Sequence, residues 1–157
     1  MLLMLLSKKV INKLIKKNIS ISVAESCSGG LIANTLVKHD GISKIFSIGI
    51  VTYSNKSKIK YLSVSKRTLD KFGAVSSKVA EEMIENLYKK EKTKITISTT
   101  GIAGPRGGTR IKPVGLVYIG MKYKNKNKIF RKIFKGGRLD IQRKTKNFIF
   151  KKIDGLI

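Results

Sequence analysis

Short runs rich in β-branched residues alternate with amphipathic helical runs through the first two thirds of the chain, and this alternation constrains the fold most. Apolar residues at helical spacing predict helices over residues 2–17, 31–38 and 77–90, and β-forming runs predict strands over residues 19–23, 45–53 and 93–100. Alternating strands and helices produce strands that run parallel and are joined by helices. A mainly parallel sheet with helices packed on it is therefore expected.

The last third of the chain predicts a different arrangement. The segments VGLVYIGMKY and KIFRKIF are joined by the turn-like KNKN, which predicts a β-hairpin, and a final helix is expected within residues 138–155. The fold class is therefore α/β, a three-layer α/β/α sandwich with a mixed, mainly parallel sheet and a C-terminal β-hairpin plus helix. A length of 157 residues predicts a single domain over residues 1–157.

The formal net charge of +25 raises the question of a nucleic-acid partner. The base is mostly lysine, with 28 Lys against 6 Arg, whereas proteins that read bases rely on the planar fork of arginine. Lysine, isoleucine and asparagine have A/T-rich codons, so mutational bias explains such a surface without a partner. No nucleic-acid partner is expected, and a basic nucleic-acid-binding module remains an alternative.

The chain has one cysteine, Cys27, and one histidine, His39, which exclude an internal disulfide and a zinc set of Cys and His ligands. A cytoplasmic protein with neither metal nor cofactor is expected. The opening MLLMLL is too short for the apolar core of a signal peptide and is interpreted as the start of a helix, so no membrane association is expected.

Ligands in such folds bind outside the carboxyl ends of the parallel strands, where ESCSGG, YSNKSK and TTGIAGPRGG follow the three predicted strands. Ser26 lies where a strand turns into a helix, which suits a nucleophile as well as an ordinary helix cap. His39 lies at the far end of that helix, so a Ser-His-Asp triad is not expected. A lysine can serve as base where burial lowers its pKa, and Lys58 follows a strand that can lie beside Ser26.

The glycine-rich loop at residues 101–108 has two interpretations. Its four glycines can form a nest of backbone N–H groups around a phosphate, or they can form a structural turn into the hairpin. The pattern is neither GxGxxG nor GxxxxGK[ST], so the sequence predicts neither a Rossmann site nor a P-loop.

Four segments together identify a resemblance: AESCSGGLIA, VTYSNKSK, GAVSSKVAEEM and TTGIAGPRGGTRIKPVGLV. In this order they resemble the C-terminal domain of the CinA proteins, the nicotinamide-nucleotide amidases. The resemblance implies a domain, commonly a homodimer, that hydrolyses nicotinamide mononucleotide to nicotinate mononucleotide and ammonia without a metal.

The resemblance also implies roles for individual residues. The family nucleophile corresponds to Ser26 and its lysine partner to Lys58, with Tyr53 lining the catalytic site. The substrate-binding residues that the resemblance implies are Ser43, Thr100 and Arg138. The ESCSGG turn and the glycine-rich loop add Ser28, Gly29, Gly101 and Gly104 as expected substrate-binding residues. This sequence departs from the family pattern at Ser28, Ile42 and Arg106, and the last departure bears on substrate preference.

Two alternatives remain open beside the Ser-Lys mechanism. Cys27 can act as nucleophile with Lys58 and Glu25, because other amidases use a Cys-Lys-Glu set. The chain can also be a nucleotide-binding domain without catalytic activity.

Overall fold

The computed structural model describes the backbone of residues 2–157 and the side chains from residue 5 onwards. In chain order the helices and strands are α1 (Leu2–Lys16), β1 (Ile21–Glu25), α2 (Leu31–Val37), a 3-10 helix (Ile42–Lys44), β2 (Phe46–Val51), α3 (Asn55–Leu62), α4 (Lys66–Phe72), α5 (Ser77–Glu91), β3 (Ile95–Gly101), β4 (Leu116–Tyr123), β5 (Lys126–Ile133) and α6 (Arg138–Asp154).

The five strands form one sheet in the order β2-β1-β3-β4-β5. Strand β1 pairs in parallel with both neighbours, and Ile21 lies opposite Phe46 on one side and Ile95 on the other. Strand β4 is antiparallel to β3 and to β5, so four strands share one direction. All five residues of β1 are buried, as expected for a central strand covered on both faces.

Helices cover both faces of the sheet. On one face α1, α2 and α6 bury their apolar residues against Ile21 and Val23 of β1 and against the inward residues of β3 and β4. On the other face Leu62 of α3, Leu69 of α4 and the apolar stripe of α5 pack around Ala24. The predicted three-layer α/β/α fold is confirmed.

The segment after residue 54 differs from the prediction. No helix was predicted there, but the segment forms α3, which begins with a capping box in which Ser54 and Ser57 satisfy each other's backbone N–H groups. Helix α4 was not predicted either, and Ser65 caps it by accepting from the N–H of Thr68. Both helices are short and lysine-rich, so their apolar stripes are too sparse to give a clear period. Their capping serines were the available signal.

The hairpin between β4 and β5 is confirmed, with a tighter turn than KNKN suggested. Lys124 and Asn125 alone connect the strands, and both have positive φ, 49° and 58°. Positive φ at both central residues is the type I′ geometry that matches the twist of paired strands. No helix in the part of the chain that the structure describes is both long and apolar enough to cross a membrane.

Candidate active site

Ser26 lies immediately after β1, in the tight turn that leads into α2. Gly29 and Gly30 have φ of 61° and 89°, a left-handed conformation that side chains disfavour, which explains the two glycines. The N–H of Gly29 donates to the carbonyl oxygen of Ser26 at 3.0 Å and closes the turn. The strand, the turn and the helix thus fix the position of Ser26 at the carboxyl end of the sheet.

The carboxylate of Glu25, which is buried, caps the first turn of α2. It accepts from the N–H groups of Gly30 at 3.0 Å, Ile32 at 3.2 Å and Ala33 at 2.8 Å, and from the hydroxyl of Ser28 at 2.7 Å. The carboxylate thus accepts from N–H groups that a helix start leaves without partners. Glu25 therefore acts as the cap of α2, a role that the sequence did not reveal.

Lys58 of α3 points into the protein and meets Ser26. Its side chain is 1% exposed, and its Nζ lies 3.0 Å from the Oγ of Ser26. The same Nζ donates to the carbonyl oxygen of Thr52 at 2.7 Å, which holds the amine at the end of β2. The predicted pair of Ser26 and Lys58 is thus brought within hydrogen-bond distance, in the geometry required of a nucleophile and its base.

Burial sets the protonation of both candidate reactive groups. It lowers the pKa of Lys58 from 10.5 to about 8, because the ammonium ion loses its hydration. Burial raises the pKa of the Cys27 thiol to about 12 by the same cause, so this thiol is neutral near pH 8. The lowered pKa makes the amine of Lys58 better suited to act as a general base, and the raised pKa makes the thiol of Cys27 a poorer nucleophile.

Thr99 of β3 holds the Ser26 turn from beneath. Its Oγ1 accepts from the N–H of Ser26 at 3.3 Å and lies 2.7 Å from the Oγ of Ser28. Gln142 of α6 supports the turn from the other side by donating to the carbonyl oxygen of Cys27 at 3.0 Å. Sequence reasoning missed both residues, because their proximity to Ser26 arises only from sheet order and helix packing.

A cavity of about 250 Å³ opens beside Ser26 and Lys58 at the carboxyl ends of the parallel strands. The predicted site residues that line it are Ser26, Tyr53, Lys58, Thr100, Gly101, Gly104 and Arg138. Tyr53, 62% exposed, accepts from the Nη1 of Arg138 at 3.2 Å, and Arg106 also lines the cavity. Two arginines thus border a cavity that contains a serine-lysine pair.

The structure does not bring Ser28, Gly29 and Ser43 to this cavity. The side chain of Ser28 is hydrogen-bonded to Glu25 and Thr99, and the N–H of Gly29 closes the turn. Both residues therefore stabilise the turn without lining the cavity. Ser43 is exposed on the 3-10 helix that precedes β2, at the opposite end of the sheet. The six residues of β2, which span about 20 Å, separate Ser43 from the carboxyl ends of the strands.

Most glycines of the 101–108 loop are explained by packing. A Cβ on Gly101 would meet the carbonyl oxygen of Leu116 at 2.6 Å, and one on Gly104 or Gly108 would meet Val114 at 2.5 or 2.8 Å. The hydroxyl of Thr100 donates to the carbonyl oxygen of Ala74 at 2.7 Å and so holds the neighbouring turn. The structural interpretation of the loop therefore accounts for these residues, although the loop still forms a wall of the cavity.

Within residues 2–157, no group of three or more His, Cys, Asp or Glu side chains is arranged to hold a metal ion. The polar and reactive side chains at the cavity are those of Ser26, Cys27, Tyr53, Lys58, Thr100, Arg106 and Arg138.

Comparison with known proteins relates this site to one family. The family model described as the CinA C-terminal domain matches residues 4–157. A CinA-like protein of Fusobacterium nucleatum is 55% identical over 130 residues, covering 83% of this chain and 31% of that protein. A protein of Clostridium botulinum described as competence-damage inducible is 49% identical over 140 residues, covering 89% and 34%. The chain thus spans about a third of the length of these curated relatives.

Solved structures agree with the sequence matches. The competence/damage inducible protein CihA of Agrobacterium tumefaciens superposes with a TM-score of 0.92 at 34% identity, covering 98% of this chain and 94% of that one. A CinA superfamily protein of Escherichia coli superposes with a TM-score of 0.90 at 30% identity, covering 97% and 88%. The family match extends over nearly the whole chain and includes every residue of the cavity, and this chain belongs to the CinA C-terminal domain family.

Proposed function

We propose that this protein is an amidohydrolase that converts nicotinamide mononucleotide to nicotinate mononucleotide and ammonia, with Ser26 as nucleophile and Lys58 as base. The observation that carries the proposal is the distance of 3.0 Å between the Nζ of Lys58 and the Oγ of Ser26, combined with the lowered pKa of that amine. The substrate is inferred from the family resemblance, and the two arginines that line the cavity suit its phosphate.

The reaction proceeds through an acyl-enzyme. The Oγ of Ser26 attacks the carboxamide carbon while neutral Lys58 takes the hydroxyl proton, and the tetrahedral intermediate then expels ammonia, which receives that proton. Water attacks the resulting ester, Lys58 takes a proton from the water, and Ser26 regains it as the acid is released. Substrate amide and water are consumed, and acid and ammonia are formed.

The oxyanion is assigned to the N–H of Cys27. In strand-turn-helix sites the N–H of the residue after the nucleophile faces the developing charge, and Cys27 lines the cavity. Ser28 and Gly29, which were expected to bind the substrate, are absent from the cavity wall, and the N–H of Gly29 is already used. Cys27 thus contributes its backbone, and this assignment requires nothing of its thiol.

The experiment measures ammonia release from nicotinamide mononucleotide by the unmodified protein and three variants. Ser26→Ala and Lys58→Met are expected to lower turnover by several orders of magnitude, and Cys27→Ala, the matched neighbour, is expected to keep most of it. Hydroxylamine added during turnover should capture the acyl group as a hydroxamate. Activity in Ser26→Ala comparable to the unmodified protein, or inactivity of Cys27→Ala alone, would refute the assignment.

A nucleotide-binding domain without catalysis is the second candidate, favoured by the small cavity with its two arginines. It predicts binding of nicotinamide mononucleotide with no ammonia release by any preparation of the unmodified protein. The same assay therefore separates the two functions.

A further inference from the structure

A second cavity, here called the hairpin cavity, lies between the β4–β5 hairpin and the C-terminal end of α6. Its volume is about 400 Å³, larger than the 250 Å³ of the cavity at Ser26. Its apolar wall is formed by Met121, Tyr123, Phe130 and Leu156. A cavity of this size with aromatic walls falls in the range that binds small organic molecules.

Lysines surround this apolar wall. The lysines that line the hairpin cavity are Lys124, Lys126, Lys128, Lys151 and Lys152. The Nζ of Lys152 lies 5.2 Å from the ring centre of Phe130, so positive charge and apolar surface are in direct contact.

These five lysines have no acidic partner among residues 5–157. The carboxylates of Glu85 and Asp154 are already paired, because Glu85 contacts Lys122 and Asp154 contacts Lys9 and Lys13. Uncompensated like charges repel one another and attract a counter-ion that carries more than one negative charge. The hairpin cavity thus combines an unsatisfied cationic rim with an aromatic wall.

The hairpin cavity is separate from the proposed active site. In the pairing of β3 with β4, Tyr123 lies opposite Ile95, whereas Val117 lies opposite Gly101 in the wall of the other cavity. Six residues of strand separate these positions, which corresponds to about 20 Å. A ligand bound in the hairpin cavity would therefore leave the Ser26 cavity open.

We propose that the hairpin cavity binds a free nucleoside polyphosphate. The planar base packs against the apolar wall, and the phosphate groups lie among the lysines of the rim. A simple fatty acid matches the apolar wall but offers one charge to five lysines, and inorganic phosphate leaves the wall uncovered. A ligand with several charges and an aromatic ring matches both halves of the cavity.

The first test locates the binding site with ATP as the probe. The protein is labelled with ¹³C in the methionine methyl groups, and ATP is titrated in without a divalent metal. The methyl resonance of Met121, in the cavity wall, should shift with saturation, whereas that of Met83, on the buried face of α5, should not. No shift of Met121 at millimolar ATP would overturn the proposal.

The second test separates a built site from general attraction by a basic surface. Calorimetry compares Lys128→Gln/Lys152→Gln, in the rim, with Lys44→Gln/Lys56→Gln, an exposed pair that removes the same charge elsewhere. The rim variant should weaken ATP binding about tenfold or more, and the control less than twofold. Equal weakening in both variants would overturn the proposal.

Two further probes identify the part of the ligand that is recognised. Adenosine should bind more weakly than ATP because it lacks the charges, and pyrophosphate should bind more weakly because it lacks the ring. If a single-stranded oligonucleotide displaces ATP at an equal concentration of nucleotide residues, the hairpin cavity belongs to a nucleic-acid surface and the proposal fails. Each readout is binding, so the outcome is independent of the amidase activity.

Discussion

The change in the free energy of unfolding caused by Lys58→Met should be more favourable at neutral pH than at alkaline pH. Lys58 is buried at 1% exposure, and its pKa falls from 10.5 to about 8, so the folded state holds the ammonium ion less favourably than the unfolded state does. A base whose pKa is lowered by folding destabilises the protein. This cost is fully present below the folded pKa and disappears as the pH rises above the unfolded pKa.

The size of the effect follows from the two pKa values. Each pKa unit corresponds to about 1.36 kcal/mol, so the ammonium costs about 3 kcal/mol at pH 7 and about 1 kcal/mol at pH 10. Methionine also loses the hydrogen bond from Nζ to the carbonyl oxygen of Thr52, which costs about 1–3 kcal/mol at every pH. The free energy of unfolding of Lys58→Met minus that of the unmodified protein should therefore fall by about 2 kcal/mol between pH 7 and pH 10.

Urea denaturation followed by circular dichroism measures this difference at a series of pH values. Lys56→Met is the matched control, because Lys56 is exposed and lies two residues away on the same helix. The difference in the free energy of unfolding between Lys56→Met and the unmodified protein should not change with pH, since the other lysines titrate equally in these two proteins. A pH-independent difference for Lys58→Met would show that the amine keeps an ordinary pKa and would remove the physical basis for its role as a base.

Four further predictions test the site and the packing around it. The kcat/KM should rise with pH and level off above about 8, because only neutral Lys58 accepts a proton, and a profile flat from pH 6 to 9 would contradict this. Arg138→Ala should raise KM about ten- to a hundredfold with a smaller effect on kcat, as measured by steady-state kinetics, because a contact with the phosphate is made equally in ground and transition states. Thr99→Val should lower kcat about tenfold or more with little change in KM, because the N–H of Ser26 loses its acceptor; an unchanged kcat would show that the turn holds without it. Gly120→Ala should lower the free energy of unfolding by about 1–3 kcal/mol in urea, because the added Cβ would lie 2.9 Å from a backbone carbonyl oxygen of α5.

The layer order of the fold could be predicted because the apolar pattern of the long elements is strong. The central strand β1 and helix α5 each show a clear period, and both occur close to their predicted positions. Helices α3 and α4 were missed because they bury few residues each, chiefly Leu62 and Leu69, beside the buried Lys58. A lysine in a sequence pattern is normally assigned to the surface, so the burial of Lys58, the proposed base, made helix α3 hard to predict.

A site residue could be predicted only where its neighbours in the sequence determine its position. Ser26 follows a strand and precedes a helix, so its placement was predictable from local sequence, and Lys58 was reached through resemblance. Thr99 and Gln142 contact the Ser26 turn only because β3 lies beside β1 and α6 packs over α2, and no local pattern contains that information. Ser43 shows the reverse case, in which a residue matched by resemblance lies at the other end of the sheet.

The arrangement of protons around the turn explains why Lys58, rather than Glu25, is suited to accept the proton of Ser26. The carboxylate of Glu25 only accepts hydrogen bonds, so the hydroxyl of Ser28 must donate to it. Thr99 must then donate its own proton to Ser28 while it accepts from the N–H of Ser26. Every hydrogen bond of this network is donated in the direction of the carboxylate, and none involves the Oγ of Ser26. Within residues 5–157 the Nζ of Lys58 is the hydrogen-bond partner that remains for that oxygen, so the proposed proton transfer from Ser26 should follow the titration of the amine.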